Sequence, residues 1–478
     1  MTSRVRTFDQ SIAVALCPAV LTLAVLLPSA CEKSQSTAQP VAAKAAATPA
    51  EDPVIAGAVA RLNAKQAPLS AVAELGKKIF FDPSLSGSGK MSCASCHSPE
   101  HAYAPDNALA VQIGGADMKS QGIRAVPSLT YLERTPAFSI GPDQKPDDDE
   151  DQAKVAAAVA LRNARQTAGV KIGSVVKADV AAGNTSNAKT EELVPQGGMD
   201  WDGRAATLPD QAGGPLLDPR EMANRNGFEL MAKLKAASYS KDMELLFGPG
   251  VFTTPNLALG EAYFALARFQ IEDRSFHPYD SKFDYYLAGK VQLSAEEARG
   301  NKLFDDPKKG NCASCHLDKP SKDGKLGPAF TDYQFEALGA PRNMAIPANR
   351  NPHFHDEGLC GPLRTDMAKQ RNYCGLFKTP GLRNVATRQV FFHNGVFRSL
   401  EDAVRFYVER ETKPEKWYPR GKDGKVVPYD DLPPSHRANV DLADAPFDRK
   451  RGDTPALDEG EIRDLVAFLK TLTDGYAK

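Results

Sequence analysis

The sequence predicts a mainly α-helical protein of two domains, related by internal duplication and interrupted by long irregular insertions. Three observations predict it. The stretch Leu69–Pro83, LSAVAELGKKIFFDP, returns as Leu293–Pro307, LSAEEARGNKLFDDP, with leucine, serine, alanine, glycine, lysine, phenylalanine, aspartate and proline in register. Behind each copy stands the same pentapeptide, CASCH, at Cys93–His97 and Cys312–His316. Each half then closes on a helical apolar pattern: Leu259, Ala262, Tyr263, Leu266 and Phe269 in Leu257–Gln270, and Leu465, Val466, Phe468, Leu469 and Leu472 in Ile462–Leu472. At 478 residues the chain exceeds one ordinary domain, and the repeat divides it at about 61–272 and 273–478.

Taken in order, Arg4 and Arg6 precede an apolar stretch, Ile12–Leu27, that ends in Pro28, Ser29, Ala30 and Cys31. A basic start, an apolar middle and small residues at a cut site describe a signal peptide over 1–31, and hence export to the periplasm. Pro18 interrupts a stretch shorter than the roughly 20 residues a membrane span needs. Cys31 at the cut leaves a lipoprotein signal, and so a lipid tether, as an open second reading. Residues 32–60, rich in Ala, Pro, Ser and Lys, read as a flexible tether.

The first repeated helix opens at Ser70 and its counterpart at Ser294, where Glu297 completes a capping box. Both stop before Asp-Pro. Residues 142–196, with their acidic run Asp147–Asp151, read as a surface insertion with a helix near Ala153–Arg165. Residues 411–456, rich in Pro, Asp and Lys, read as an excursion over the surface. Apolar residues at 42% and charged residues at 25% exclude a mostly disordered chain. A net charge of −1 gives no reason to expect nucleic acid or an anionic membrane as partner.

Cys-x-x-Cys-His is the pattern of covalent c-type haem attachment. Two thiols on one turn can reach the two vinyl groups of a porphyrin, and the adjacent histidine can face the iron. A redox dithiol leaves His97 and His316 unexplained, and a zinc site needs thiols that converge, whereas the repeat separates them. The expectation is two c-type cytochrome domains with two covalent haems, held by Cys93, Cys96 and His97 and by Cys312, Cys315 and His316. Met344, Met367, His353, His355, His393 and several tyrosines are open candidates for a sixth iron ligand. Cys360 and Cys374, 14 residues apart in a Gly- and Pro-containing segment, suit a loop disulfide.

From about Leu69 onward the chain resembles the bacterial di-haem cytochrome c peroxidase family. Besides the two haem motifs, the resemblance rests on WDGRA (Trp201–Ala205), GPLLDPREM (Gly214–Met222), and FKTPGLRNV, FFHNG and LEDAVRFY within Phe377–Tyr407. It implies a peroxide-reacting N-terminal haem and an electron-relaying C-terminal haem. Trp201 would lie between them, and Gln211, Pro215 and Glu221 would stand on the distal side, with Glu221 as the acid–base group. Hydrogen peroxide is the implied oxidant. A small cytochrome or cupredoxin would return electrons, or a protein substrate would be oxidised instead.

Three departures refine this. The stretch Gln112–Ala116 has no histidine to close the N-terminal iron, which should therefore stay open. Tyr407 stands where many members place a ligating methionine, as in the methylamine-utilisation (MauG-type) branch; a phenolate is a hard donor that favours high oxidation states. Ala125 stands where an asparagine would bind calcium between the haems, leaving carbonyls near Arg388 and Val390 as the remaining calcium ligands. A plain electron-transfer cytochrome, with both irons six-coordinate, is the rival from another class.

Overall fold

The computed structural model describes residues 52–142 and 193–477. They are mainly helical, with three two-stranded antiparallel ladders. The signal peptide, Cys31, the acidic run and the helix expected at Ala153–Arg165 lie outside the described residues.

Each half is built on a crossed pair of helices. Ala71–Phe80 starts where Ser70 Oγ accepts from Ala73 N–H at 3.1 Å. It crosses Pro255–Glu272 so closely that a Cβ on Gly76 would run into the Ala265 carbonyl. Ala295–Asp305, capped by Ser294 and Glu297, crosses Glu459–Lys470, and there a Cβ on Gly300 would meet the Asp464 carbonyl. Glycine is required at both crossings because only it lets the backbones touch. Aromatic rings fill the space beside each crossing. Phe80 packs on Phe269 (5.6 Å between ring centres) and Phe276 stacks on Tyr103 (3.7 Å). In the second half Phe304 packs on Phe468 (5.3 Å) and Phe330 (6.1 Å). Burying each such ring contributes about 1.5–3 kcal/mol. The two main apolar cores run from Leu75 to Phe276 and from Phe283 to Leu472.

Two expectations are corrected. Residues 53–60 are not tether: Pro53–Asn63 is a helix, since Asp52 caps it and Pro53 pre-sets its first turn. It lies against the second half, where a Cβ on Gly57 would strike the Gly324 carbonyl and Arg61 donates to that same oxygen. Residues 411–456 are not a surface excursion either. Tyr418, Tyr429, Leu432 and Val440 are buried in the second core, and Phe447 is buried beside Tyr407. Their irregular spacing among Pro and Asp hides them from a periodicity search, yet each fills core volume.

The insertion leaves and returns at one place. Ser139–Pro142 pairs with Leu193–Gln196, Ser139 opposite Gln196, so the inserted residues are 143–192 rather than 142–196. The halves are also joined by a buried ion cluster. Arg124 reaches Asp356 through Nε and Nη2 at 2.7 Å each and Asp202 through Nη1 at 2.7 Å.

Candidate active site

Both pentapeptides fold as one tight turn. His97 N–H donates to the Cys93 carbonyl at 2.9 Å and His316 N–H to the Cys312 carbonyl at 2.8 Å. The histidines are then oriented alike: each Nδ1 lies 3.0 Å from a backbone carbonyl, Tyr103 for His97 and Phe330 for His316. That bond fixes the tautomer, with the proton on Nδ1. Burial pulls both imidazoles down to about 4, so they are neutral and able to ligate. Burial also pushes Cys93, Cys312 and Cys315 up to about 12 and Cys96 up to about 11.

A cavity of about 310 Å³ runs along His316, and its walls include Tyr407, Trp201, Gln211 and Arg388. Tyr407 sits on the helix Leu400–Glu409, which Ser399 caps by accepting from Asp402 N–H. Its ring lies 5.6 Å from both Phe392 and Phe447. Burial first, then the charges of Cys315 and Cys312, hold its phenol well above the usual range, placing it beside the second motif. Apolar walls, a neutral histidine, an oriented phenol and two thiols on one turn are a donor set that fits haem.

On the first motif's side, Pro215 lies inside the helix Leu208–Leu217 and lacks the N–H that would bond to Gln211, four residues earlier. The following loop is pinned back, with Met222 N–H donating to the Pro215 carbonyl at 3.0 Å. It carries Glu221, whose side chain reaches the surface while neighbouring protein crowds its carboxyl. Burial, then Asp218 and Asp200, push this carboxyl up to about 7, and its charge in turn helps raise Cys96 and Cys93. The histidine-free stretch packs on the same loop, where Gly115 N–H donates to the Glu221 carbonyl at 2.8 Å.

Trp201 Nε1 donates to the Ala125 carbonyl at 2.8 Å, and its own carbonyl accepts from Lys378 N–H at 2.8 Å. This locks the indole between the halves. Of the carbonyls expected to bind calcium, that of Val390 accepts from Arg388 Nε at 3.4 Å, and Arg388 Nη2 donates to the Val126 carbonyl at 2.9 Å. A guanidinium stands there, and Ala125 supplies no side-chain oxygen for calcium.

The other candidate ligands are engaged or turned outward. His393 Nε2 lies 3.2 Å from Asp431 and its ring stacks on Phe377 at 3.6 Å. His355 Nδ1 lies 2.9 Å from the Asp431 carbonyl, Met367 is buried next to the disulfide that Cys360 and Cys374 form, and Met344 and His353 are exposed. Sequence reasoning missed Arg124, Asp202, Asp356, Lys378 and Arg388. The two aspartates flanking Trp201 were the available signal for a buried cation nearby.

A mainly helical chain with two haem-competent sites, one beside a carboxyl poised near neutrality, is a haem-dependent oxidoreductase. Comparison with known proteins then gives its relatives. A family model described as di-haem cytochrome c peroxidase matches residues 70–292. Methylamine utilization protein MauG of Paracoccus denitrificans is 32% identical over 419 residues, covering 84% of this chain and 89% of that one. Cytochrome c551 peroxidase of Nitrosomonas europaea is 28% identical over 336 residues, covering 70% and 71%. The crystal structure of the diheme peroxidase BthA from Burkholderia thailandensis superposes with a TM-score of 0.69 at 34% identity, covering 87% of this chain and 89% of that one. The chain belongs to the di-haem cytochrome c peroxidase family. It is an oxidoreductase that uses peroxide and carries two haems.

Proposed function

We propose that the protein is a periplasmic peroxidase in which hydrogen peroxide is reduced at the His97 haem, while the His316 haem stores and relays oxidising equivalents. The observation that carries this reading is Glu221, a carboxyl raised to about 7 and near enough to the first motif for its charge to act on Cys96 and Cys93. A group titrating there can take and return a proton at neutral pH. The bound haems supply iron that reacts with peroxide and holds oxidising equivalents. Cys93 and Cys96, and Cys312 and Cys315, would hold them covalently, with His97 and His316 as iron ligands and Tyr407 as a further ligand on the His316 side. With no histidine in Gln112–Ala116, the His97 haem keeps an open face. There Glu221 moves a proton from the inner to the outer peroxide oxygen, Gln211 orients the peroxide, and Pro215 shapes the distal wall. Trp201 carries charge between the halves.

The matched glycine crossings and matched histidine bonds support an origin of the two haem domains, about 61–272 and 273–478, by duplication. Export by the 1–31 signal would place the protein in the periplasm, free or held by a lipid on Cys31, where a small cytochrome or cupredoxin returns electrons. A second reading, oxidation of tryptophans in a partner protein, is favoured by Tyr407 together with the similarity to MauG. Donor kinetics separate the two. Fast peroxide turnover with a small cytochrome supports the first reading, and stoichiometric oxidation of a co-purifying protein with weak donor turnover overturns it.

A further inference from the structure

Tyr131 is buried on the wall of the cavity that His316 and Trp201 also line. Its hydroxyl donates to Asp474, 2.8 Å from Oδ1 and 2.9 Å from Oδ2, and accepts from Tyr279 N–H at 3.0 Å. Asp474 is held in turn by Asn384: its Oδ2 accepts from Nδ2 at 2.7 Å and its N–H donates to Oδ1 at 2.9 Å. Burial pushes the Asp474 carboxyl up to about 6, so at neutral pH it is ionised yet more basic than an exposed aspartate. Tyr131 holds a left-handed φ of 62°, which a bulky side chain adopts only when its surroundings fix it.

The Tyr279 ring lies 4.8 Å from Tyr131, edge to face, and is half-buried, with the Arg61 guanidinium 5.6 Å over its other side. Tyr279's own hydroxyl bonds to Arg134, which cannot take a proton. Arg383 covers both rings at 4.7 and 4.6 Å and is itself neutralised by Asp284. Of these two tyrosines, only Tyr131 joins a cavity wall to a proton acceptor. A phenol loses an electron at moderate potential only if its proton has somewhere to go, since the protonated radical cation is strongly acidic.

We propose that Tyr131 is a redox relay whose electron passes to the haem sites as its phenolic proton passes to Asp474. This rests on the peroxidase reading, which supplies the oxidant. One electron leaves Tyr131 and cancels one of the oxidising equivalents that peroxide has left at the haems. The O–H bond breaks and the proton goes to an Asp474 oxygen. An external one-electron donor, arriving on the Tyr279 side, then restores the tyrosine, and Asp474 returns the proton.

The test uses the holoenzyme with ring-deuterated tyrosine, mixed with peroxide in the absence of donor and frozen for paramagnetic resonance, with optical spectra of the haems taken in parallel. Wild type should give an organic-radical signal that narrows on deuteration. Tyr131→Phe should lose it and prolong the oxidised haem spectrum several-fold. Asp474→Asn, which keeps the ring in place, should cut the signal several-fold. The same tyrosyl signal in Tyr131→Phe overturns the inference, as does wild type showing no tyrosyl signal while its haem spectrum responds to peroxide; the peroxidase reading survives both outcomes. A haem spectrum that ignores peroxide overturns the reading and the relay together. A purely structural tie predicts lower thermal stability in both variants with the radical unchanged, which also overturns the relay.

Discussion

Gly115 N–H donates to the Glu221 carbonyl at 2.8 Å, and a Cβ on neighbouring Gly114 would press on the backbone of Arg220 and Glu221. The segment without a ligand histidine thus buttresses the loop that carries the raised carboxyl. Gly114→Val should displace Glu221 and slow the reaction with peroxide while haem content stays constant. Stopped-flow mixing at matched haem absorbance checks this, and an unchanged rate would mean that the loop does not position Glu221.

The Glu221 carboxyl, raised by burial to about 7, sets a pH dependence. Taking a proton from peroxide requires the ionised form. The second-order rate should therefore climb as pH rises through about 7 and level off above it. Glu221→Gln should flatten that profile and lower the plateau by roughly 10²–10⁴-fold. If the variant keeps the inflection, another group titrates.

Tyr407 tests the ligand assignment. Tyr407→Met replaces a hard anionic donor with a soft neutral one, so the potential of the His316 haem should rise by on the order of 100 mV. Spectroelectrochemical titration reads this directly. An unaltered potential and spectrum would make Tyr407 a packing residue.

The Arg124 cluster predicts a stability effect. Arg124→Met would leave Asp356 buried without its cation and Asp202 with Arg204 alone, and should destabilise the fold by about 3–5 kcal/mol. Adding Asp202→Asn and Asp356→Asn should recover part of that loss, because neutral amides are cheaper to bury. Denaturant midpoints decide this, and full additivity of the losses would argue against a coupled cluster.

The sequence revealed what is periodic or local. Ser70 and Ser294 begin their helices as their caps predict, and the two closing helices fall at Pro255–Glu272 and Glu459–Lys470, close to the apolar patterns that announced them. Tyr407, singled out only through the resemblance, sits on the helix Leu400–Glu409 and lines the cavity with His316. The sequence did not reveal contacts between distant segments. Arg388 lies two residues from Val390 in sequence, yet nothing in that spacing shows its guanidinium bonding to Val126. The core role of Tyr418 and Phe447 was hidden because irregular chain carries no period to read. Asp474, in a polar C-terminal stretch, reads as surface until the fold brings Tyr131 to it.

The central claim is one open haem coupled to a second that holds oxidising power. A paramagnetic resonance spectrum of the ferric holoenzyme, before and after peroxide, tests it most directly. A high-spin ferric signal should stand beside a low-spin one, and the high-spin signal should disappear when peroxide is added. Two low-spin signals that peroxide leaves unchanged would contradict that claim and leave an electron-transfer cytochrome.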